Sequence, residues 1–332
     1  MKKTWPGIAS CKGSGYTLTV RKCLFLLLFF PMVLFPQEQI TEELPDNGIF
    51  PLTMVLESVL YPEEGFWRPD WPLELAFDVF KVRKGEISGC RAEGEGFSLA
   101  FTLGQDKRVL EYPVLLNGRM AQAVLAYRGF FEIEEMQLVF ASGEEPWKLE
   151  FLENRNSFPY FVRAVCGETW YFIYFSRGIS GILETWYNEE GTAIGVYSFS
   201  LIETQKGPKI ASINDFSRPD GYSVLHYDSR GLLTGILGPD SFCGVQYFRE
   251  DLPRNWQNET GDYYLQWDED NLLVRILGEQ VDYRYEYTLD NMGNWIERRE
   301  TRMIRDFGVL IPTHGSILKR VLDYRNPAGE KE

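Results

Sequence analysis

The sequence predicts an all-β fold, an antiparallel meander of repeated hairpins that forms a curled sheet or a solenoid-like β array. Three observations support this class. From Leu73 onward, apolar and polar residues alternate with period two, as at Leu75, Phe77 and Val79. Gly-rich turns separate these runs, and hardly any segment keeps a helical period. The stretch after residue 180 also repeats itself, which is typical of stacked hairpins.

The repeat recurs at a fixed interval along the chain. Residues 222–238 align without a gap with residues 262–278, and the two copies share an Asp, a Leu-Leu pair and an Ile-Leu-Gly triplet. A weaker copy lies one interval earlier, at 187–191, and a further copy lies half an interval later, at 283–295. The predicted turn residues of the four copies are Tyr187, Asn188 and Gly191; Tyr227, Asp228 and Gly231; Trp267, Asp268 and Asn271; and Tyr287, Asp290, Gly293, Asn294 and Trp295.

Each copy has the chemistry of a tight turn. An aromatic residue ends a strand, Asp or Asn bonds the backbone to open the turn, and Gly or Asn provides the positive φ. Counting back in twos from the aromatic residue assigns the two faces of each strand. Leu225, Leu265 and Tyr285 are predicted to pack, and His226, Gln266 and Glu286 to face solvent.

The copy at 283–295 has the pattern Tyr-x-Tyr-x-x-Asp-x-x-Gly-Asn-Trp, and charged residues 297–304 and a closing strand at 317–324 follow it. With these features, residues 185–324 resemble the YD or Rhs-type repeats of bacterial exported proteins. The resemblance implies curled β-sheets that serve as shells or as binding scaffolds at the cell surface. Long members enclose a toxin, for which this chain has too few repeats.

A β-propeller is the alternative fold. A period of about 40 residues with several strands suits propeller blades, and Trp267-Asp268 is a Trp-Asp dipeptide. Because one copy alone has this dipeptide and no Gly-His pair precedes it, the hairpin array is preferred.

The N-terminus predicts export. Arg21 and Lys22 precede an apolar run at 23–35, which is shorter than the roughly 20 residues of a membrane-spanning helix and contains Pro31. Residues 1–36 are therefore interpreted as a signal peptide with an over-long n-region, and an N-terminal membrane anchor is the alternative. The expected location is periplasmic, outer-surface or secreted in a bacterium, with no membrane span after cleavage.

The rest of the chain divides by composition. Residues 37–72 are expected to form an extended Pro- and Glu-rich lead-in, with one strand at most. Residues 73–180 are expected to form an N-terminal β region, residues 181–325 the hairpin repeats, and residues 326–332 a disordered tail.

Charge and cysteine usage argue against a nucleic-acid partner, a disulfide framework and a zinc site. The net charge is −14, and residues 1–36 contain five basic residues and no acid, so nucleic acid is not an expected partner. Cys90, Cys166 and Cys243 are odd in number and widely spaced, which suits neither a disulfide framework nor a zinc site. Buried thiols are the preferred interpretation, and one disulfide plus one free thiol is the alternative.

No catalytic constellation, metal site or cofactor is predicted. The two histidines, His226 and His314, accompany no Gly-x-Ser-x-Gly elbow, and there is no G-x-G-x-x-G or P-loop. Asp268, Asp270 and Glu279 have EF-hand spacing, but leucines occupy positions where calcium requires an oxygen ligand and a glycine. The acidic pairs at 134–135, 144–145 and 189–190 are interpreted as solvated charge.

The leading hypothesis is an exported, non-enzymatic scaffold or binding protein of the cell envelope, whose partner is an unidentified envelope protein or a glycan. Outward-facing aromatic residues would stack on sugars or grip a peptide strand. A secreted glycan-acting hydrolase with paired carboxylates is the alternative. A third hypothesis, an assembly module, predicts a long uncovered edge strand. The candidate ligand-binding aromatic residues are Trp67, Trp71, Trp256 and Trp295.

Overall fold

Twenty antiparallel strands form the wall of a closed barrel in the part of the chain that the computed structural model describes. That part comprises residues 49–60, 85–95, 97–116, 119–128, 132–140, 143–155, 158–218, 221–238, 242–249, 252–279 and 281–325. All of them belong to one compact unit, Glu42–Glu332. The predicted signal peptide, Trp67, Trp71 and the predicted C-terminal tail lie outside the described residues.

One short helix precedes the strands. The helix is α1 (Leu52–Leu60). The strands are β1 (Ile87–Gly94), β2 (Phe97–Leu103), β3 (Val109–Leu116), β4 (Arg119–Arg128), β5 (Glu132–Phe140), β6 (Trp147–Arg155), β7 (Phe158–Cys166), β8 (Thr169–Arg177), β9 (Gly181–Tyr187), β10 (Ala193–Thr204), β11 (Gly207–Asp215), β12 (Gly221–Tyr227), β13 (Leu233–Leu237), β14 (Phe242–Arg249), β15 (Leu252–Asn258), β16 (Gly261–Trp267), β17 (Leu273–Leu277), β18 (Val281–Leu289), β19 (Trp295–Asp306) and β20 (Val309–Tyr324).

The first and last strands close the barrel. Each strand pairs with the next one along the chain, and β1 also pairs with β20 through partners such as Arg91 with Val321 and Glu93 with Lys319. The prediction of an open curled sheet or solenoid-like array is therefore wrong, and so is the propeller alternative. The repeat specifies local hairpins. Closure instead depends on strand number, tilt and the pairing of two strands from opposite ends of the array.

The closed pairing bears on the assembly hypothesis. Each of the twenty described strands has a neighbour on both sides, so the long uncovered edge strand that this hypothesis requires is not found among them. The described part of the expected N-terminal β region and the hairpin repeats also form one continuous wall, since residues 172–177 of β8 pair with residues 182–187 of β9.

The inner face of the wall forms the hydrophobic core. Buried side chains alternate with exposed ones along the strands, as β6 shows with Trp147, Leu149 and Phe151 buried. The face assignment made from the repeat register is confirmed at all six positions. Leu225, Leu265 and Tyr285 are buried, and His226, Gln266 and Glu286 are exposed.

Helix α1 packs against this inner face, in a segment for which an extended conformation was expected. Leu52, Val55, Leu56 and Val59 recur at helical spacing and are all buried. Phe50, just before the helix, contacts the inward rings of Trp147 and Trp186 with centroids 5.5 and 5.4 Å apart. The interior is therefore filled by the wall's own side chains and by this segment.

A buried carboxylate anchors the start of α1. Glu184 of β9 is fully buried, and its two oxygens accept hydrogen bonds from Leu52 N–H and Thr53 N–H at 2.8 Å. They also accept from the Thr53 hydroxyl and from Trp186 Nε1–H, both at 2.7 Å. A carboxylate in this position satisfies the first orphan N–H groups of the helix and complements its dipole.

Candidate functional site

The repeat signature residues build four turns that share a hydrogen bond from the backbone N–H four positions after the Asp or Asn. The side-chain oxygen of Asp228 accepts from the backbone N–H of Arg230 at 2.9 Å and of Leu232 at 3.0 Å. Asp268 and Asp290 each accept from the residues two and four positions further on, at 2.8 to 2.9 Å. Asn188 accepts from Thr192 N–H at 2.8 Å. These side chains replace missing backbone partners, which is a structural role.

Positive backbone φ angles complete the turns. Gly191, Gly231 and Gly293 have φ of 80°, 82° and 81°, and Asn271 has a φ of 60° at the equivalent place. Asn is the side-chain-bearing residue that best tolerates this region, so the substitution of Gly by Asn in the third copy follows from backbone sterics.

The structural unit of the repeat spans half the interval seen in the sequence. Tyr247 Oη–H, Trp267 Nε1–H and Tyr287 Oη–H each donate, at 2.7 Å, to the backbone carbonyl 14 residues earlier. These three aromatic residues are evenly spaced along the chain and mark successive units. The hairpin after Tyr247 lacks the Asp-x-x-Gly spacing, so an alignment on that signature skips one unit and doubles the interval.

Trp256 and Trp295, two of the predicted ligand-binding aromatic residues, lie on the inner face. Trp256 is 5% exposed, stacks on Tyr263 with centroids 4.9 Å apart, and donates from Nε1 to Cys243 Sγ at 3.1 Å. Trp295 is 1% exposed, and the Arg320 guanidinium lies 3.8 Å from its ring centroid. Their rings are occupied by packing, and a different set of aromatic residues faces outward.

That set, here called the outer aromatic strip, crosses three strands. It consists of Phe161 on β7, Trp170, Phe172 and Tyr174 on β8, and Tyr187 on β9. The strip faces outward because its β8 members alternate with the buried Tyr171, Ile173 and Phe175.

Ring contacts make the strip continuous. Phe161 stacks on Tyr174 with centroids 4.5 Å apart and lies 5.1 Å from Phe172. Trp170 packs edge-on against Phe172 at 4.9 Å, and Tyr187 edge-on against Tyr174 at 5.6 Å. Such pairs are mutually stabilising, and they hold the rings in fixed positions. Tyr174 remains 42% exposed, so the surface is open to solvent.

Charged residues border the strip on the side of β5 and β6. Lys148 Nζ lies 3.2 Å from a Glu135 oxygen and 3.1 Å from a Glu150 oxygen, and Arg163 lies 3.4 Å from Glu150. The hydrogen bond from Gln137, together with Lys148, holds the pKa of Glu135 below its ordinary value.

A second feature of the outer wall is a groove of about 370 Å³ on β13 to β16. Gly244 contributes to its floor, and Gln246, Asn255 and Tyr264 form one wall. Gln257 and Asp262 line the other side. The groove is lined by three amide side chains, one carboxylate, one threonine and two tyrosines, which can donate and accept hydrogen bonds.

The buried carboxylates are engaged in structural contacts. Glu184 anchors α1, Asp282 is bound by Arg275 and Arg284, and Glu300 accepts a hydrogen bond from Tyr285. The predicted acidic pairs lie at the surface, where Glu134 contacts Arg128 and Glu144 contacts Arg119. Each of these carboxylates is therefore engaged by a cation or a hydrogen-bond donor, and the hydrolase hypothesis gains no support from them.

The thiols and the remaining metal candidates can be placed as well. Cys90, Cys166 and Cys243 lie on β1, β7 and β14, which are not neighbours, and none forms a disulfide with another. Burial raises the pKa of the Cys90 thiol to about 11. Within the described ranges, no cluster of three or more His, Cys, Asp or Glu side chains could hold a metal ion. No helix in this part of the chain is long and apolar enough to cross a membrane.

The sequence does contain a signal for the outer aromatic strip. Residues 170–175 read Trp-Tyr-Phe-Ile-Tyr-Phe, an unbroken apolar run where a half-buried strand should alternate with polar residues. Alternate residues of a strand lie on opposite faces, so Tyr171, Ile173 and Phe175 face the core and Trp170, Phe172 and Tyr174 face outward. Interpreting it only as a hairpin strand missed the second face.

Comparison with known proteins gives structural matches alone. No protein-family model and no curated protein matches the chain. A porin-like protein from Bacteroides uniformis aligns over 71% of this chain and 98% of its own, at 10% identity and a TM-score of 0.34. A porin-like protein from Bacteroides vulgatus aligns over 74% of this chain and all of its own, at 9% identity and a TM-score of 0.28.

A chain in the structure of TcdB2-TccC3-Cdc42 aligns over 61% of this chain at 12% identity and a TM-score of 0.24. This chain covers 15% of that protein's length. The TM-scores all lie below 0.5, so function is argued from the residues of this chain alone.

Proposed function

We propose that this protein is an exported, non-enzymatic barrel scaffold of the bacterial cell envelope that binds a glycan through the outer aromatic strip. The observation that carries the proposal is the strip itself, a fixed row of five aromatic rings on the solvent-facing side of the wall. The signal-like residues 1–36 support export.

The rest of the outer wall carries charged side chains, as expected for a surface in contact with water. It carries ion pairs between strands, Lys148 with Glu135 and Lys319 with Glu297, and ion pairs along one strand, Lys148 with Glu150 and Arg299 with Glu297. Charged residues on the lipid face of a membrane barrel cost about 2 to 4 kcal/mol each near the bilayer centre. The described inner face is mostly apolar, with a few buried charged side chains such as Glu184, Arg298 and Glu300, whereas a porin has a polar lumen. These features favour a solid barrel in an aqueous compartment.

The chemistry of the strip suits a sugar polymer. One face of a pyranose ring presents C–H bonds that pack on aromatic side chains, and its hydroxyls need polar partners at the margin. Arg163, the cross-strand partner of Phe172, and Glu150 provide such partners beside the strip. The net charge of −14 opposes polyanionic ligands, which favours a neutral glycan over nucleic acid.

Retention on insoluble glycans tests this proposal. The protein, without residues 1–36, is incubated with purified peptidoglycan sacculi, chitin and cellulose, and the bound fraction is measured after sedimentation. We expect retention on at least one polymer, reduced about tenfold or more by Trp170→Ala or Tyr174→Ala, since Trp and Tyr side chains dominate such contacts. Tyr222→Ala removes an exposed aromatic residue on β12, outside the strip, and serves as the matched control.

Circular dichroism and thermal unfolding establish that each variant is folded before binding is compared. The proposal fails if the folded wild-type protein is retained by none of the three polymers. It also fails if the strip variants and Tyr222→Ala bind as the wild-type protein does.

A further inference from the structure

We infer that the groove on β13 to β16 is a second binding site, separate from the outer aromatic strip, for a small neutral saccharide. Its floor consists of backbone. Gly244 on β14 lines the groove, and its Cα partner on β13 is the buried Gly235. Because Gly244 has no side chain, the wall has a depression at this outward position.

The floor is open at Gly244. A Cβ atom built there would meet Phe242 Cζ at 3.6 Å and two Gln257 atoms at 3.8 and 3.9 Å, which are ordinary contacts. The absence of a side chain at Gly244 is therefore not forced by crowding, nor by a positive φ angle. Gly244 therefore leaves the groove open, although the backbone at this position could carry a residue with a side chain.

The row of side chains beside the floor carries the hydrogen-bonding groups. Gln246, Asn255 and Tyr264 are successive cross-strand partners, and Asn255 Nδ2–H donates to Gln246 Oε1 at 2.9 Å. Gln246 is exposed beside Asn255, so its amide can donate to and accept from a ligand hydroxyl.

The opposite side of the floor provides further hydrogen-bond donors and acceptors. Gln257 and Asp262 are cross-strand partners that line the groove, and Thr234 adds a hydroxyl. The lining contains one carboxylate and neither Lys nor Arg, so an anionic ligand finds no counter-charge. Amides, a carboxylate and a phenol instead match the mixed donors and acceptors of a polyhydroxylated, uncharged molecule.

Size and an aromatic wall complete the match. The volume of about 370 Å³ lies within the range of roughly 300 to 1,000 Å³ that small-molecule sites have. Tyr264 is 55% exposed beside the amide row, so its ring is available to a sugar ring. A monosaccharide or disaccharide unit meets all of these conditions.

Saturation-transfer difference NMR and calorimetry test the inference with glucose, galactose, N-acetylglucosamine and maltose as probes. We expect at least one to bind the wild-type protein, and Gly244→Leu, which fills the floor, to weaken binding about tenfold or more. Gly244→Ala and Gln246→Ala are milder variants in case the leucine impairs folding, and Gln246→Ala should also lower the affinity. Gln137→Ala, which removes an exposed outward glutamine on β5, is the matched control.

The outcomes separate this site from the strip. Tyr174→Ala should leave binding of the small sugars unchanged, so loss of glycan retention and loss of sugar binding are distinguishable. The inference is overturned if none of the probes binds at about 10 mM, or if folded Gly244→Leu and Gln246→Ala both bind as well as Gln137→Ala. Equal binding of glucuronate or of triglycine would overturn the assignment to a neutral saccharide.

Discussion

Asp282 is an outward-facing carboxylate that is only 2% exposed, because two arginines cover it. Its oxygens accept from Arg275 Nε at 2.6 Å and Nη2 at 2.7 Å, and from Arg284 Nη2 at 3.2 Å. The bidentate bond from Arg275, together with Arg284, holds the pKa of Asp282 below its ordinary value of 3.8. The group joins β17 to β18, where the two arginines are also direct cross-strand partners. The negative charge of Asp282 therefore offsets the repulsion between the positive charges of Arg275 and Arg284.

Substitution of Asp282 by Asn should cost about 1 to 2 kcal/mol of unfolding free energy at pH 7, since it leaves the arginines facing each other. A carboxyl whose pKa is lower in the folded state stabilises the fold above its unfolded pKa. That contribution is lost as the pH falls through the folded pKa, so the difference between wild type and variant should shrink below pH 4. Urea unfolding at pH 7 and at pH 3 measures it. Glu269→Gln, at an exposed turn position, should show no comparable change, and a pH-independent difference would contradict the expectation.

At the same scale, the turn residues show what sequence can predict. Asp228, Asp268 and Asn271 act through hydrogen bonds to residues two to four positions away or through their own φ angle, so a local pattern contains the relevant physics. The buried position of Trp256 depends instead on partners such as Cys243 and Tyr263, which lie on other strands. Local spacing does not specify such contacts, and a polar sequence neighbourhood suggested exposure.

Among the elements, α1 shows how composition concealed a pattern. The Pro- and Glu-rich surroundings of residues 37–72 favoured an extended lead-in, yet Leu52, Val55, Leu56 and Val59 already had helical spacing. A nine-residue helix is marginal alone, so its stability comes from packing on the inner wall and from Glu184. The carboxylate that anchors it lies more than a hundred residues away in sequence, and no local signal indicates it.

The anchoring of α1 leads to a prediction for Glu184→Gln. All four groups that bond to Glu184 are donors, so the amide NH₂ of Gln would face a donor in any orientation. We expect a loss of about 1 to 3 kcal/mol in unfolding free energy, from a buried hydrogen bond that is no longer made. Denaturant unfolding measures the loss, and the fluorescence of Trp147 and Trp186, which contact Phe50, reports on the docking of the segment.

Glu134→Gln is the matched control, because Glu134 is exposed and contacts Arg128 at the surface alone. Its effect should stay within about 0.5 kcal/mol. Equal losses in both variants would show that Glu184 contributes no more than a surface glutamate, and that α1 is held by its apolar face alone.

On the scale of the whole molecule, closure is the property that the repeats did not predict. Hairpins and faces follow from alternation and turn chemistry, and both hold over β12 to β18. Whether twenty such strands stay open or close depends on accumulated twist and tilt, and on whether β1 and β20 are complementary. The seam they form removes both edges, which would otherwise pair with other chains.

A disulfide across the seam tests closure directly. Glu93 and Lys319 are exposed Cα partners on β1 and β20, and directly opposite antiparallel residues lie about 4.5 to 5.5 Å apart, within disulfide range. In a Cys166→Ser background, we expect Glu93→Cys with Lys319→Cys to form an intramolecular disulfide in the folded monomer.

Two further pairs serve as controls. Glu135→Cys with Glu150→Cys, which are cross-strand partners within the sheet, should form a disulfide equally well. Glu93→Cys with Glu297→Cys should not, because Glu297 lies one strand beyond Lys319, about 10 Å from Glu93. Thiol counting and non-reducing mass analysis read out each pair. A barrel that is open in solution would oxidise the pair within the sheet and leave the seam pair reduced.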